Sequence, residues 1–215
     1  MCLWGIIPIK PFSHGKSRLA ERLSIEQRIL LNRNLAENTI HICKSASGIE
    51  KTLVVSNGRE MHRFAMKCGV EYVEEPPGGI NAALDAAVAH AVKQGATCVL
   101  ILHGDLPSIR KQEVEMLVQT GNEVNSICIV SDHHKTGTNA LLLNPPGCIP
   151  FMFGEGSYLK HVTAARYKDI QIHAMNLPSI SFDLDTVEDL EFALHRDYLS
   201  RELIDRLTLE SRTLL

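Results

Sequence analysis

Apolar residues in this chain fall into short, dense runs separated by longer stretches in which they recur every three or four positions. Leu3–Ile9, Thr52–Ser56, Val70–Val73, Cys98–His103 and Ser126–Val130 are the short runs. They are too brief for helices and rich in Val, Ile or Leu, so they read as strands. Ser24 to about Lys44, Arg59–Lys67, Ile80–Gln94 and Arg110–Gln119 carry the helical spacing. The first begins Ser24-Ile25-Glu26-Gln27, where Ser24 can cap the helix and Gln27 can complete a capping box. Fully apolar strands alternating with helices imply a parallel sheet covered on both faces. The expected fold is α/β, a Rossmann-like three-layer α/β/α sandwich with a mostly parallel sheet.

After about residue 131 the rhythm changes. Gly137–Leu143 predicts a further strand, Pro145-Pro146-Gly147 breaks the chain, and Gly154–Arg166 opens with glycines before turning helical. Ser179–Phe182 predicts a last short strand ahead of a helix over Thr186–His195. From about residue 197 the chain carries Leu199, Leu203 and Leu207 at i, i+4 and i+8. That spacing predicts an amphipathic helix packed on the body or on the second subunit of a homodimer.

With 215 residues, 45% of them apolar, one domain spanning residues 1–215 is the default. A net charge of −3 provides no basic field for nucleic acid, so polyanions must be met by local cations and metal. The six cysteines show no metal-knuckle or redox spacing, and several sit in apolar runs. Reduced, buried thiols point to the cytoplasm. The apolar amino terminus is too short to span a bilayer and lacks a positive flank, and no other stretch is a membrane candidate.

Candidate chemistry lies where strands end, which is where ligands of open parallel sheets bind. Lys10-Pro11-Phe12-Ser13-His14-Gly15-Lys16-Ser17-Arg18 follows the first strand. Gly15-Lys16-Ser17 invites a Walker A reading, but that loop needs a glycine where Lys10 stands, so a P-loop is rejected. What remains is a glycine-containing loop with three cations, suited to a triphosphate and expected to enter a helix whose amides face the same space. Gly78-Gly79-Ile80-Asn81 is a turn that lets main-chain amides approach a ligand, with Asn81 able to cap the next helix. Asp105, in His103-Gly104-Asp105-Leu106-Pro107, ends a strand and suits Mg²⁺, with His103 read as a packing or supporting residue. Asp183 and Asp185 alternate on an extended segment, so both can reach one divalent site, although Asp185 can also cap the following helix. Gly137-Thr138-Asn139 and Phe153-Gly154-Glu155-Gly156-Ser157 offer small hydroxyl and glycine residues for a phosphate or carboxylate cradle. His133 and His134, adjacent on a loop, read as solvated.

Ile7-Pro8-Ile9-Lys10-Pro11 with Lys16-Ser17-Arg18-Leu19, Gly79-Ile80-Asn81-Ala82-Ala83-Leu84, Gly104-Asp105-Leu106-Pro107, Gly137-Thr138-Asn139-Ala140-Leu141 and Phe153-Gly154-Glu155-Gly156-Ser157 occur in this order over about residues 3–190. The set resembles the phospholactate guanylyltransferase family (CofC/FbiD) of coenzyme F-420 biosynthesis, within the MobA-like nucleotidyltransferases. The resemblance implies a nucleotide-diphospho-sugar transferase-like fold. It also implies a magnesium-dependent transfer of GMP from GTP to 2-phospho-L-lactate, phosphoenolpyruvate or 3-phosphoglycerate, with release of pyrophosphate. Pro8, Lys10, Lys16, Gly79 and Asn81 would hold the nucleotide, and Thr138, Gly154 and Ser157 the acceptor. Asp105, Asp183 and Asp185 would hold Mg²⁺, with Asp105, Lys16 and Arg18 catalytic, and the product would pass to a deazaflavin transferase. The pair His103-Gly104 departs from relatives, which often carry other small residues there. A metal-dependent glycosyltransferase is the nearest rival, but it would usually show an Asp-x-Asp where Asp105 stands alone. A non-catalytic nucleotide-binding subunit would give the polar clusters no reason to converge.

Overall fold

The computed structural model of the chain describes residues 1–212. Seven strands form one sheet: β1 (Leu3–Pro8), β2 (Ile49–Ser56), β3 (Glu71–Glu74), β4 (Cys98–Leu102), β5 (Ser126–Ser131), β6 (Thr138–Asn144) and β7 (Gln171–Ala174), in the order β3-β2-β1-β4-β6-β5-β7. Every neighbouring pair is parallel except those of β6, which runs antiparallel to both β4 and β5. The mostly parallel sheet expected from the apolar runs is therefore present.

Alternating strand residues feed two cores. Leu3, Ile7, Leu100 and Leu102 pack under α1 (Ile25–Ser45), α2 (Arg59–Cys68) and α4 (Lys111–Thr120). Trp4, Ile6, Val99 and Ile101 pack under α3 (Gly79–Lys93) and α5 (Ser157–Tyr167). Burying both faces explains why these strands read as continuous apolar runs rather than as alternating ones. Ser24 caps α1 with both bonds of the predicted capping box to Gln27.

Two elements differ from expectation. Ser179–Phe182 is not a strand: a single helical turn, α6 (Pro178–Ser181), occupies it. Proline at the first helical position favours a helix start, and the Glu113 carboxylate accepts from both the Ser179 amide (2.9 Å) and its Oγ (2.7 Å), fixing the turn. The strand at that end is instead β7, a half-exposed edge paired to β5. α7 (Val187–His195) and α8 (Arg201–Arg212) follow. Leu199, Leu203 and Leu207 pack against Leu31, Leu35 and Leu190 of the same chain in a third core. Of the two placements expected for the tail, it packs on the body. All six cysteines are free, and among the described residues no helix is long and apolar enough to cross a membrane.

Candidate active site

Sheet topology places the site. From β1 the chain moves outward through β2 and β3, then restarts at β4 on the other side of β1. A crevice forms beyond the carboxyl ends of strands at such a switch point, and a cavity of about 690 Å³ opens there. Pro8, Lys10, Lys16, Arg18, Gly79, Asp105 and Asp185 all line it, so seven of the sequence-predicted residues converge.

The loop after β1 is held by packing. Phe12 is buried edge-on against Phe64 with centroids 4.9 Å apart, and the Asn32 amide of α1 donates to the Phe12 carbonyl at 3.1 Å. A β-carbon at Gly15 would stand 2.5 Å from Asn32 Nδ2, so a side chain there would push the Asn32 amide aside. Lys16 then adopts a left-handed backbone, φ 57°, which costs a non-glycine residue on the order of 1–3 kcal/mol. Two short 3-10 turns, at Phe12–His14 and Ser17–Leu19, replace the expected direct entry into a helix. The left-handed turn at Lys16 breaks helical continuity, and α1 begins at Ile25, where the Ser24 capping box starts it.

That turn carries the Lys16 side chain, only 4% exposed, between two carboxylates. Its Nζ donates to Asp105 Oδ2 and Asp185 Oδ1, each at 2.8 Å. Burial opposes the ammonium charge, but Asp105 and Asp185 outweigh it and hold its pKa above the ordinary lysine value. Burial likewise opposes the Asp105 carboxylate, and Lys16, with a smaller contribution from His103, holds its pKa below the usual range. Asp183 goes the other way: burial and the neighbouring Asp105 and Asp185 raise its pKa against a hydrogen bond from Asn139 Nδ2 at 3.1 Å. The Leu184 amide donates to the Asp105 carbonyl at 3.2 Å, so the two acidic segments are tied by their main chains. Asp185 is not the helix cap, because Thr186 caps α7 in a box with Asp189.

Asp105 Oδ1 is buried and has no hydrogen-bond partner among the described residues. No group of three or more His, Cys, Asp or Glu side chains among them is gathered closely enough to enclose a metal. Lys10 and Arg18 make no ion pair among the described residues and stand exposed at the cavity.

The cradle residues form a second, neighbouring unit. Ser157 Oγ donates to Thr138 Oγ1 at 3.2 Å, and Thr138 Oγ1 lies 3.1 Å from His161 Nδ1. All three residues are almost wholly buried. Gly154 (φ 122°) and Gly156 (φ 66°) bend the preceding turn through backbone that only glycine adopts freely. Asn81 does not cap α3. The helix begins two residues earlier, at Gly79, and Asn81 instead clamps the Phe153 main chain, accepting from its amide at 2.8 Å and donating to its carbonyl at 3.2 Å. Asn81, Thr138, Gly154, Ser157 and Asp183 are thus outside the cavity lining, and Asn81 ties the two units together.

The family model for "Guanylyl transferase CofC like" proteins matches residues 2–212. The chain belongs to the CofC-like guanylyltransferase family. It is 34% identical over 190 residues to the phosphoenolpyruvate guanylyltransferase of Rubrobacter xylanophilus, covering 88% of this chain and 92% of that one. It is 29% identical over 199 residues to the 3-phospho-D-glycerate guanylyltransferase of Colwellia psychrerythraea, covering 92% and 94%. Among solved structures, a candidate nucleotide-diphospho-sugar transferase from Desulfovibrio desulfuricans superposes with a TM-score of 0.77 at 15% identity, covering 94% of this chain and 90% of that one, a likeness of fold. This CofC-like chain is therefore a nucleotidyltransferase with a GMP-transferring role.

Some residues of this CofC-like site escaped the sequence. His133 is not simply solvated: its ring nitrogens lie 3.7 Å from Asp183 Oδ1 and Asp189 Oδ1, and its ring packs on Phe182. No local pattern signals a contact made across some fifty residues of chain. His103, read as a supporting residue, packs on Phe153 at 5.5 Å and also lines the cavity. His161 had a readable signal, because it lies four residues after Ser157 on one helix face. Glu75 and Asn32, both at the cavity, had none.

Proposed function

We propose that this chain transfers GMP from GTP to the phosphate of a three-carbon phospho-acid and releases pyrophosphate. The acid is phosphoenolpyruvate, 3-phosphoglycerate or 2-phospho-L-lactate. The observation that carries this reading is the meeting, at one switch point, of a cation-lined cavity and a carboxylate cluster with an unpartnered buried oxygen. Lys10 and Arg18 suit a triphosphate, and Glu75 offers oxygens to the N1–H and amino group of guanine. The names of the two relatives support GMP as the transferred group and a phospho-acid as its acceptor. Thr138, Gly154 and Ser157 are the proposed acceptor cradle, beside the cavity through the Asn81–Phe153 clamp.

The donor set suits magnesium, which binds through one or two carboxylates while water and substrate phosphates complete its shell. Asp105 and Asp185, both drawn to Lys16, would hold it together with the substrate phosphates, and the free Asp105 oxygen favours a cation there. Asp183, outside the cavity lining, is not gathered with them closely enough to enclose the ion. When bound, it supplies neutralising charge to the reacting phosphates. The chain's own contribution is positioning and electrostatics. The acceptor phosphate is already an anion and needs no strong base. One of its oxygens attacks the α-phosphorus of GTP, the bond from that phosphorus to the bridging oxygen breaks, and pyrophosphate leaves with the electron pair. Arg18 and Lys10 offset charge on the leaving group. On family resemblance, the unsymmetrical diphosphate product serves the deazaflavin transferase of coenzyme F-420 biosynthesis, in the cytoplasm.

Pyrophosphate release from GTP and Mg²⁺ with each of the three acids, against inorganic phosphate, tests this reading. At least one acid should support a far higher kcat/KM than phosphate. Release that ignores the acid, or no release with any of them, sinks it.

A further inference from the structure

His161 is wholly buried, yet both its ring nitrogens are engaged, and neither the cavity nor the carboxylates explain it. Nε2 lies 2.9 Å from the Met152 amide nitrogen. A main-chain N–H can only donate, so Nε2 must carry the lone pair and the proton of the neutral ring must sit on Nδ1. Nδ1–H therefore donates to Thr138 Oγ1 at 3.1 Å, and Ser157 Oγ donates to the same oxygen at 3.2 Å. Both lone pairs of Thr138 Oγ1 are then filled. All that the Thr138 hydroxyl has left to offer is its proton. The same ring packs edge-on against Phe153, centroids 4.9 Å apart, beside the turn that bears Gly154.

We propose that His161 is the positioning residue of the acceptor cradle: it holds the Met152–Gly154 turn against α5 and makes Thr138 a donor only, so that the cradle prefers an anionic oxygen. The inference rests on the reading that this cradle receives the phospho-acid, and it adds the group that sets the cradle's polarity. An acceptor carboxylate or phosphate offers only lone pairs and matches a donor, whereas a neutral ligand presenting a hydroxyl proton does not. Burial, with a smaller contribution from the nearby Lys160 charge, pushes the imidazole pKa down to about 4, which keeps the ring neutral as the bonding requires. A protonated ring would turn a second N–H toward the Met152 amide and break that bond.

Two substitutions separate the two bonds. In His161→Asn the side-chain amide sits near the old Nδ1 and can still donate to Thr138. In His161→Gln the polar end sits near the old Nε2 and can still accept from Met152, but Thr138 loses its fixed donor. His161→Gln should raise the KM for the best acceptor roughly 10-fold to 100-fold, the range for losing a hydrogen bond to a charged group. The KM for GTP should stay within about twofold, and His161→Asn should recover most of the acceptor effect. Thr138→Val should match His161→Gln, and the double variant should be no worse than either alone.

If a variant fails to fold, the imidazole nitrogen shifts of ¹⁵N-labelled wild-type protein still decide the polarity. A neutral ring protonated on Nδ1 between pH 6 and 8 is expected, and an Nε2–H tautomer or an imidazolium overturns the proposal. An unchanged acceptor KM in His161→Gln, or equal shifts for acceptor and GTP, overturns the role of His161 alone. A wild-type enzyme that uses none of the three acids overturns the guanylyltransferase reading and with it this role.

Discussion

Around Asp105 the chain gathers full charges and leaves them partly open to solvent, whereas around Thr138 it gathers only neutral donors and acceptors and buries them. The Asp105 and Asp185 side chains are 30% and 47% exposed, while Thr138, Ser157 and His161 are each at most 2% exposed. The difference fits what each end would meet in the proposed reaction. A triphosphate brings charge of its own, so exposed cations and carboxylates can be completed by the ligand and its metal. A small acid with one carboxylate and one phosphate is distinguished by where its oxygens lie, and a rigid neutral network fixes donors at little desolvation cost. In the proposed reaction the donor end works by charge, and the acceptor end by direction.

The comparison breaks most visibly at Asp105. Asp105→Asn should keep the fold and lower kcat by about 10²–10³-fold, typical of losing one preorganised electrostatic contact. Rates near wild type at saturating Mg²⁺ would remove the carboxylate from the chemistry.

The neutral end should show itself in stability instead. The folded pKa of His161, about 4, lies below its unfolded value near 6.5. As pH falls through 6.5 the unfolded chain takes up a proton that the folded chain refuses until about pH 4. The contribution is therefore complete above pH 6.5 and is lost between 6.5 and 4, at most about 3 kcal/mol. Urea unfolding at pH 7 and pH 4.5 should show a larger loss for wild type than for His161→Gln. Carboxylates titrate in both proteins and cancel in the difference, so parallel losses would contradict a neutral buried ring.

Lys16→Ala should raise the KM for GTP and lower kcat, together by roughly 10-fold to 100-fold in kcat/KM. It removes the cation that pairs with both Asp105 and Asp185. Unchanged kinetics would make this loop a structural brace only.

The smallest effect is at Ser157, whose hydroxyl donates to the neutral Thr138 Oγ1. Ser157→Ala should lower kcat/KM for the acceptor by roughly tenfold or less and leave the KM for GTP alone. An effect confined to GTP would move the cradle to the donor end.

The sequence made the charged end more legible than the neutral one, for a physical reason. Lys16, Arg18 and Asp105 stand on loops that leave strands, where a polar residue interrupts an apolar run and the sheet rule names the place, while Asp185 was legible only through its alternation with Asp183. That Lys16 bridges two carboxylates depended on its left-handed backbone, which no residue type announces. Ser157 and Thr138 stood out as small hydroxyl residues beside glycines, but the network that joins them to a buried histidine comes from packing between α5 and β6. The same limit governed the fold. The buried strands were plain in their apolar runs, while β7, half-exposed as Gln171-Ile172-His173-Ala174, carries no dense apolar run to mark it. Ser179–Phe182 looked like strand because Ile180 and Phe182 alternate with serines. Pro178 and Glu113 decide for a helical turn there.

At this switch point the proposed reaction gives GMP from GTP to a phospho-acid, rather than to water or a sugar. Phosphorus NMR of wild-type protein with GTP, Mg²⁺ and phosphoenolpyruvate, repeated with the other two acids, tests it most directly. For at least one acid, a pair of coupled resonances from an unsymmetrical diphosphate should grow in equal amount with pyrophosphate. GDP and inorganic phosphate as the products, or pyrophosphate and GMP without the coupled pair, would contradict it.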